Sequence, residues 1–394
     1  MRSKHLLLVI IIFLMVFSLT LFGCKTETST TTSAAETTAA PAETTAAPAE
    51  TTAAPAAGDL TGTTDAKSGL AIKRDVAAMV KAKDNSQLEV VQSNKMVGMR
   101  WFDLMEMGID QFSKDFNVKA SNVAPDTGDA ALQAQMTEDL IVRLEPEKSC
   151  IILVPNDPKS LEQVAKKAND KGIFTIGYEA TTMQNLSYDM EAYDNARFGE
   201  MMGEYLAKSM GGKGKYAVCV ALLTMEVHVL WADSAVNYIK ANYPDMECIT
   251  NPYIETANEQ KKAYAEAQEL LNANPDLSGI LACEGAMVAA AAQVVEEKNL
   301  IGKVMVSGLG LPSTVYDFIK KGSAQSAHCS NPTYQSYCLG VVALATMYGI
   351  ELQEGDYLGK PGYVIDRLDN GKIIWPRGEV SVDKSNIDNP ENNF

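Results

Sequence analysis

The sequence predicts an α/β protein made of two doubly wound lobes with a cleft between them. From Lys95 onward, short apolar strands alternate with longer amphipathic helices. Runs such as 151–154 are apolar at every position, as a parallel strand buried on both faces requires. The alternation starts again near residue 195, so the chain holds two units of about 100 residues, an ordinary domain size. Ligands bind open parallel sheets outside the carboxyl ends of the strands, so facing lobes would share one cleft.

The N-terminal segment predicts export and lipid attachment. Arg2 and Lys4 precede an apolar run over 6–22, as in an export signal. The run ends in "LFGC", which resembles the lipobox of bacterial lipoproteins, whose cysteine is diacylated before cleavage. A retained transmembrane helix is the alternative, but the run is at the short edge of the roughly 20 apolar residues that such a helix needs. We therefore expect residues 1–23 to be a signal peptide and Cys24 to carry the lipid that tethers the protein to the membrane.

A spacer separates this tether from the lobes. Residues 36–56 read "ETTAAPA" three times, and each repeat carries a proline and no large apolar side chain. With no apolar surface to bury, residues 24–65 are expected to form a disordered stalk that holds the lobes roughly 35 Å from the membrane. Residues 66–94 are a lead-in segment in which the spacing of Val76 and Val80 allows one helix.

The elements of both lobes follow from the hydrophobic pattern. The first lobe is expected to contain the strands "KMVGMRW", "NVKASNV", "CIILVP" and "GIFTIGY", with helices from about Phe102, Asp129 and Lys159 between them. The second begins with a helix over about 195–210 and continues with the strands "KYAVCVALL", "MECITNPY", "LSGILAC" and "KVMVSGLG", separated by helices over about 229–242, 258–273 and 286–298.

Composition and motifs exclude several classes of protein. The chain has 50 Asp plus Glu against 34 Lys plus Arg, which argues against nucleic acid or anionic lipid as a partner. No G-x-S-x-G, H-E-x-x-H or phosphate-cradling glycine loop is present, so we expect neither an enzyme nor a cofactor. His228, His328 and a glutamate lack the spacing of a metal site. Six cysteines follow Cys24, which allows disulfides in an exported protein, although a core of this size also accommodates buried thiols.

Two longer segments indicate a family. "VPNDPKSLEQVAKKANDKGIFTIGYEA" resembles a strand–helix–strand segment of type I periplasmic sugar-binding proteins, and "NPDLSGILACEGAMVAAAAQVVEEKNLIGKVMVSGLG" resembles the matching part of their second lobe. With "EVSVDKSNIDN" near the end, the likeness is nearest to the branch of rhamnose-binding and autoinducer-2-binding proteins of ATP-driven importers.

The resemblance implies two Rossmann-like lobes joined by a three-segment hinge, the type I periplasmic binding protein fold. By analogy the crossings fall near residues 189–195, 329–332 and 350–354. The first lobe would then comprise residues 95–192 plus 331–352, and the second lobe residues 193–330 plus 353–394. A hinge of this kind opens and closes without disturbing either core.

A sugar site needs polar groups around the hydroxyl rim and aromatic rings on a face of the sugar. Arg100, Trp101, Phe102 and Asp103 follow the first strand, where the family has an aromatic and a cationic contact. One aromatic ring could instead cap the core, and Asp103 could instead be a helix N-cap.

Three further candidates lie in the first lobe or at a crossing. Glu179 follows the fourth strand, where relatives commonly have an acidic residue. Asn156 opens the third helix, and Asn331 matches a family position at which Asp or Asn touches the ligand. Helix capping is the alternative role for both asparagines.

In the second lobe, Glu284 follows the third strand and is the strongest candidate contact. Autoinducer-2 binders are expected to carry an Asp–Gln pair where this chain has Val227 and His228, and a Pro-Asp-Ala type sequence where it reads "CEG". Both departures argue against that signal as the ligand. His228 either hydrogen-bonds a sugar or has a plain loop role, and Trp231 is expected in the core.

The resemblance implies an extracytoplasmic, monomeric solute-binding lipoprotein that captures a small sugar or sugar-like ligand and delivers it to an ABC importer permease. A ligand-sensing receptor that signals to a chemoreceptor or kinase is the alternative, because both roles use the same closed-lobe surface. A transcription regulator of this fold would need a helix-turn-helix in place of the export signal.

Overall fold

A computed structural model describes residues 63–394 of the 394-residue chain. The predicted signal peptide, Cys24 and the predicted stalk up to residue 62 lie outside the described residues. Within the described part, no helix is both long and apolar enough to cross a bilayer. Asp65 is 5% exposed and accepts hydrogen bonds from the backbone N–H groups of Ser68 and Gly362. Asp65, which the sequence assigns to the stalk, is therefore part of the folded body.

Helices and strands alternate along the described residues. The helices are α1 Val76–Lys81, α2 Arg100–Phe116, α3 Ala130–Arg143, α4 Pro158–Asp170, α5 Asn195–Ser209, α6 Glu226–Asn242, α7 Gln260–Ala273, α8 Met287–Glu297, α9 Pro312–Lys321 and α10 Pro332–Met347, followed by a 3₁₀ turn at Pro390–Asn392. The strands are β1 Arg74–Asp75, β2 Glu89–Ser93, β3 Lys119–Val123, β4 Ser149–Leu153, β5 Phe174–Gly177, β6 Tyr188–Met190, β7 Lys213–Val220, β8 Asp245–Cys248, β9 Ile254–Glu255, β10 Leu277–Cys283, β11 Met305–Leu309, β12 Ser326–Ser330, β13 Asp356–Tyr357, β14 Arg367–Asp369, β15 Ile373–Trp375 and β16 Glu379–Asp383.

Two large sheets form the centres of the two lobes. The first has the strand order β14-β15-β6-β5-β4-β2-β3 and is parallel except for β14. The second has the order β16-β12-β11-β10-β7-β8, with β9 beside β7, and is parallel except for β16. β4 is buried at all five positions, as a strand covered by helices on both faces must be. The predicted fold class, two doubly wound α/β lobes, is confirmed.

Glycines allow the closest helix contacts in each lobe. A Cβ on Gly108 of α2 would lie 2.3 Å from the carbonyl oxygen of Thr333 in α10. A Cβ on Gly199 of α5 would lie 2.5 Å from the carbonyl oxygen of Trp231 in α6. Only a residue without Cβ permits backbones to approach this closely.

The chain passes between the sheets at three places. Residues 191–194 connect β6 to α5, Asn331 connects β12 to α10, and residues 376–378 connect β15 to β16. The first two coincide with the expected positions, whereas the third does not lie at 350–354. β14 and β15 extend the first sheet, so our assignment of all of 353–394 to the second lobe is wrong for these strands and holds only for β16. Three-residue strands are too short to show a period in sequence.

The first strand of the first lobe also differs from the prediction. We expected it at "KMVGMRW", but β2 lies at Glu89–Ser93, inside the expected lead-in segment, and α2 already begins at Arg100. Gln92 and Ser93 are buried in β2, bonded to Ser336 and Thr137 at 2.6 and 2.9 Å. Because these residues are polar, β2 lacks the continuous apolar run by which a buried strand is recognised in a sequence. The expected lead-in helix is reduced to the six residues of α1.

Candidate functional site

An interlobe cavity lies where the carboxyl ends of both sets of parallel strands meet. Its volume is about 30 Å³. The first lobe contributes Lys95, Trp101, Phe102, Val154, Tyr178 and Glu179, and the second contributes His228, Asn258, Gly285 and Leu309. Each of these residues lies on a loop or helix that follows a strand, or at the end of a strand, because strand ends of a parallel sheet converge at one edge.

The cavity continues outward into a wider groove of about 400 Å³ between the lobes. Met99 and Arg100 line this groove on one side, with Asn258 and Gly285 among the residues on the other. The lobes touch here, since a Cβ on Gly285 would lie 2.5 Å from Cε of Met99. The inner cavity has room for about two water molecules but not for a sugar ring. The lobes are therefore closed on each other, and a larger ligand enters only when they separate.

Aromatic rings form one wall of the cavity. Trp101 and Phe102 are the second and third residues of α2 and are 8% and 6% exposed. Both predicted aromatic candidates line the cavity. Tyr178, which is 2% exposed, adds a third ring that we had assigned only to the strand pattern.

A buried ion pair lies beside this wall. Nζ of Lys95, in the loop after β2, donates to Oε2 of Glu179, and the side chains are only 4% and 7% exposed. Glu179 has φ +57°, a left-handed conformation that non-glycine residues adopt at a cost. Burying an ion pair also costs desolvation energy that mutual attraction offsets only with good geometry. The predicted Glu179 thus lines the cavity, and Lys95 joins it as a residue that sequence reasoning missed.

Asn156 positions Lys95 instead of lining the cavity. Its Nδ2 donates to the carbonyl oxygen of Lys95 at 2.7 Å, and its backbone N–H donates to Oε1 of Gln133 at 2.9 Å. The Gln133 amide in turn donates to the carbonyl oxygen of Val154 at 2.9 Å. The residue that caps α4 is Asp157, so neither the predicted contact nor the alternative cap describes Asn156. It joins the ends of β2 and β4.

The second lobe contributes an imidazole. His228 is 4% exposed, and its Nδ1 accepts a 3.4 Å hydrogen bond from the N–H of Ala221. Burial and the positive charge of Lys95 hold the pKa of His228 well below its usual range. A neutral ring that accepts at Nδ1 carries its proton on Nε2, so His228 can act as a hydrogen-bond donor. The predicted candidate His228 lines the cavity.

Asn258 is a second residue that sequence reasoning missed. It follows β9, is 8% exposed and has φ +57°. It lines both the inner cavity and the outer groove, and its Oδ1 has no hydrogen-bond partner among the described residues. An asparagine just before a helix is typical of a helix cap, so the sequence gives no sign that Asn258 lines a cavity.

Glu284, our strongest candidate in the second lobe, does not reach the cavity. It is fully buried, and its carboxylate accepts hydrogen bonds from the N–H groups of Ala286 and Met287 at 2.7 and 2.5 Å. Burial raises its pKa to about 7, against the effect of these two hydrogen bonds. The prediction that Glu284 contacts a ligand is therefore wrong. Its carboxylate instead binds the free N–H groups at the start of α8.

Three other candidates also lie away from the inner cavity. Arg100 is exposed in the outer groove. Asp103 is exposed in the first turn of α2, whose N-cap is Met99, so it is neither a cavity residue nor the cap that we considered. Asn331 caps α10 by accepting from the N–H groups of Thr333 and Tyr334, and it lines a separate crevice. The capping alternative describes Asn331.

Side chains of the metal-ligating and thiol types also occur among the described residues. Within residues 63–394, no group of three or more His, Cys, Asp or Glu side chains could hold a metal ion. The six cysteines there are free, and five of them are buried. His328 lies in β12, where it contacts Ser326 and Ser381 at 3.0 and 2.9 Å, and burial lowers its pKa to about 3.

Comparisons with known proteins concern the family and the fold of the chain. A family model described as "Periplasmic binding protein domain" matches residues 90–349. The D-ribose/D-allose-binding protein of Pseudomonas aeruginosa is 24% identical over 244 residues, which cover 58% of this chain and 72% of that protein.

Solved structures share the fold over nearly their whole length. An ABC transporter solute-binding protein of Clostridium phytofermentas with bound L-rhamnose has a TM-score of 0.69 and 20% identity, covering 78% of this chain and 98% of that one. LsrB from Clostridium saccharobutylicum in complex with AI-2 has a TM-score of 0.68 and 17% identity, covering 77% and 99%. These likenesses show the type I fold. Because the family model also covers more than half of the chain, this protein belongs to the periplasmic binding protein family.

Proposed function

We propose that this protein captures one small polyhydroxylated ligand, a sugar or sugar-like molecule, between its lobes and delivers it to an ABC importer permease. The observation that carries the proposal is the buried ion pair of Lys95 and Glu179, which lies among aromatic rings in the interlobe cavity. Such a pair costs desolvation energy in the closed protein, so a role in binding accounts for it better than a role in stability.

The groups around the cavity match the chemistry of a sugar. Each hydroxyl group can donate one hydrogen bond and accept others. Glu179 and Oδ1 of Asn258 supply acceptors, while Lys95 and Nε2–H of His228 supply donors. The rings of Trp101 and its neighbours offer apolar surface to the C–H face of a sugar.

Binding requires the lobes to open and to close again around the ligand. A cavity of about 30 Å³ is too small for a monosaccharide, whereas the residues around it come from both lobes. A ligand that touches both walls stabilises the closed arrangement by its differential affinity for that state. Three short crossings allow this movement while each sheet stays intact.

The relatives support this class of ligand. The curated relative is a D-ribose/D-allose-binding protein, and the two solved structures hold L-rhamnose and AI-2. The proposal includes the tether: Cys24 carries lipid, and residues 24–62 are the stalk that keeps the lobes outside the cytoplasm near the importer.

A ligand screen followed by a matched pair of variants tests the proposal. Thermal-shift measurements with D-ribose, D-allose, D-arabinose, L-rhamnose and AI-2 identify the molecule that raises Tm most, and calorimetric titration then measures its Kd. Asn258→Gly should weaken binding about tenfold, because a hydroxyl group loses its acceptor. Asn299→Gly is the control, since Asn299 is also an asparagine with left-handed φ, at +56°, but is exposed and outside the cavity. Equal affinities for both variants, or a peptide or metal ion as the best ligand, would show that this cavity is not a sugar site.

A further inference from the structure

A chain of buried hydrogen bonds crosses from the first sheet to the second lobe. Nε1–H of Trp231 in α6 donates to Oδ1 of Asn195 at 2.8 Å. Nδ2 of Asn195, the first residue of α5, donates to Oε2 of Glu191 at 2.7 Å. All three residues are 1% exposed. The chain therefore spans the first crossing between the lobes.

Two buried carboxyl groups, those of Glu191 and Asp189, lie at the end of this chain on the side of the first sheet. Oε1 of Glu191 has no N–H or hydroxyl partner among the described residues, and the backbone N–H of Ala180 faces the Asp189 carboxyl group and lowers its pKa. Burial raises the pKa of Glu191 well above its usual range, and the charge of Asp189 raises it further. Burial also raises the pKa of Asp189, to about 7. With a proton on Oε1, Glu191 donates to Asp189 while Oε2 still accepts from Asn195.

The surroundings of this pair favour retention of the proton. The charge of Glu179, from the loop after β5, raises the pKa of both carboxyl groups. The hydroxyl groups of Tyr178, Tyr193 and Tyr363 face the same region, and burial raises the pKa of each well above its usual range, so they stay neutral. Lys95 is engaged with Glu179. Of this ion pair, Glu179 is the member whose charge raises the pKa of both carboxyl groups.

The other end of the chain lies against the cavity. The indole ring of Trp231 stacks on the imidazole of His228, with ring centroids 5.2 Å apart and planes 17° apart. His228 lines the interlobe cavity. An indole held at its N–H by Asn195 therefore fixes the plane against which the His228 ring rests.

We propose that Glu191 and Asn195 are positioning residues for ligand binding. Their hydrogen bonds fix the orientation of the Trp231 indole relative to the first crossing between the lobes, and the indole in turn fixes the ring of His228. The effect on affinity rests on the proposed function. The effect on the indole N–H does not, since it is visible without ligand.

Two substitutions of nearly unchanged shape distinguish this role from simple packing. Glu191→Gln keeps one donor toward Asp189 and one acceptor toward Asn195, so the chain stays complete. Asn195→Leu is of similar size but removes both the acceptor for Trp231 and the donor toward Glu191. Asn242→Leu, at an exposed asparagine of the same helix as Trp231, is the matched control.

The first measurement uses the full chain labelled with ¹⁵N-tryptophan and needs no ligand. Trp231→Phe assigns the Trp231 indole signal. We expect slow hydrogen exchange at this N–H in the wild type, in Glu191→Gln and in Asn242→Leu, and exchange at least tenfold faster, roughly, in Asn195→Leu, where the N–H has lost its acceptor. The wild-type indole shift should change at alkaline pH, as Glu191 loses its proton, and Glu191→Gln should abolish that change. Unchanged exchange in Asn195→Leu, or an identical alkaline change in Glu191→Gln, would overturn the inference.

The second measurement is calorimetric titration with D-ribose, D-allose, D-arabinose and L-rhamnose. Asn195→Leu should weaken binding about tenfold, with the conservative variant Glu191→Gln within about twofold of the wild type. If Asn195→Leu does not fold, Trp231→Phe replaces it, since it removes the donor and keeps an aromatic ring, and an unchanged affinity there counts against the inference. If none of these sugars binds the wild type, the proposed function fails, while the indole measurement still decides the hydrogen-bond chain.

Discussion

Exchanging the ion pair of Lys95 and Glu179 for apolar side chains separates its contribution to stability from its role in binding. The two side chains are 4% and 7% exposed, so solvent screens them little. Removing one partner leaves the other charge buried without compensation, which costs about 3–5 kcal/mol in the free energy of unfolding. Glu179→Ala and Lys95→Ala should therefore each lower the Tm of the ligand-free protein, by roughly 4–7 °C for a chain of this size.

The double variant Lys95→Met with Glu179→Leu should behave differently. It keeps most of the side-chain volume and removes both charges, and such exchanges are often neutral or stabilising by about 1–4 kcal/mol. We expect its Tm to return to the wild-type value or to exceed it. Its affinity for the sugar that binds the wild type should stay at least about tenfold lower, because the donor and acceptor in the cavity are gone.

Calorimetry measures both quantities, as a thermal scan without ligand and as a titration. The control is the exposed pair of Lys167 and Glu138, whose side chains are 59% and 45% exposed and whose exchange for Met and Leu should change the free energy of unfolding by less than about 1 kcal/mol. A double variant that binds like the wild type, or single variants with unchanged Tm, would refute the reasoning.

Three further predictions concern residues outside the cavity. Glu284→Ala should lower the free energy of unfolding by about 2–4 kcal/mol, because the N–H groups of Ala286 and Met287 lose their acceptor, while titration shows affinity within about twofold. Lost affinity at unchanged Tm would contradict this. His328 has a pKa lowered to about 3, so its contribution to stability is full above its unfolded pKa of about 6.5 and is lost as the pH falls toward 3. His328→Gln should accordingly show a shallower fall of Tm between those pH values, and an identical slope would count against it. Mass spectrometry of the native protein should find Cys24 as the first residue with lipid attached, and an unmodified Cys24 or a retained 1–23 segment would reject the tether.

Much of the fold could be predicted because its signals are local. A strand such as β4, buried at every position, must be apolar throughout, and the helices between strands carry the 3.6-residue period. β2, β14 and β15 gave no such signal. Gln92 and Ser93 are buried in β2 through bonds to Ser336 and Thr137, residues far away in the chain. Their environment exists only after folding.

Part of the candidate site could also be predicted from the sequence. Chemical groups that follow parallel strands converge, so Trp101, Phe102, Glu179 and His228 could be expected near one another. Lys95 was missed because the sequence predicted a strand that begins at Lys95, whereas this residue lies in the loop after β2. Asn258 and Asn156 could not be separated by sequence, since each precedes a helix, yet only Asn258 lines the cavity.

Two glutamates show what the sequence by itself determined and what tertiary structure decided. Glu179 and Glu284 both follow a buried strand, and that shared pattern determined that each would lie at the carboxyl edge of its sheet. Glu179 adopts a left-handed conformation and meets Lys95 in the cavity, whereas Glu284 precedes α8 by three residues and accepts hydrogen bonds from the N–H groups of Ala286 and Met287. The direction of each carboxylate depends on which donor is nearest once the chain is folded. The sequence therefore determined the edge of the sheet, and only the tertiary structure decided which carboxylate faces the interlobe cavity, because buried acceptors go to the donors that packing brings within reach.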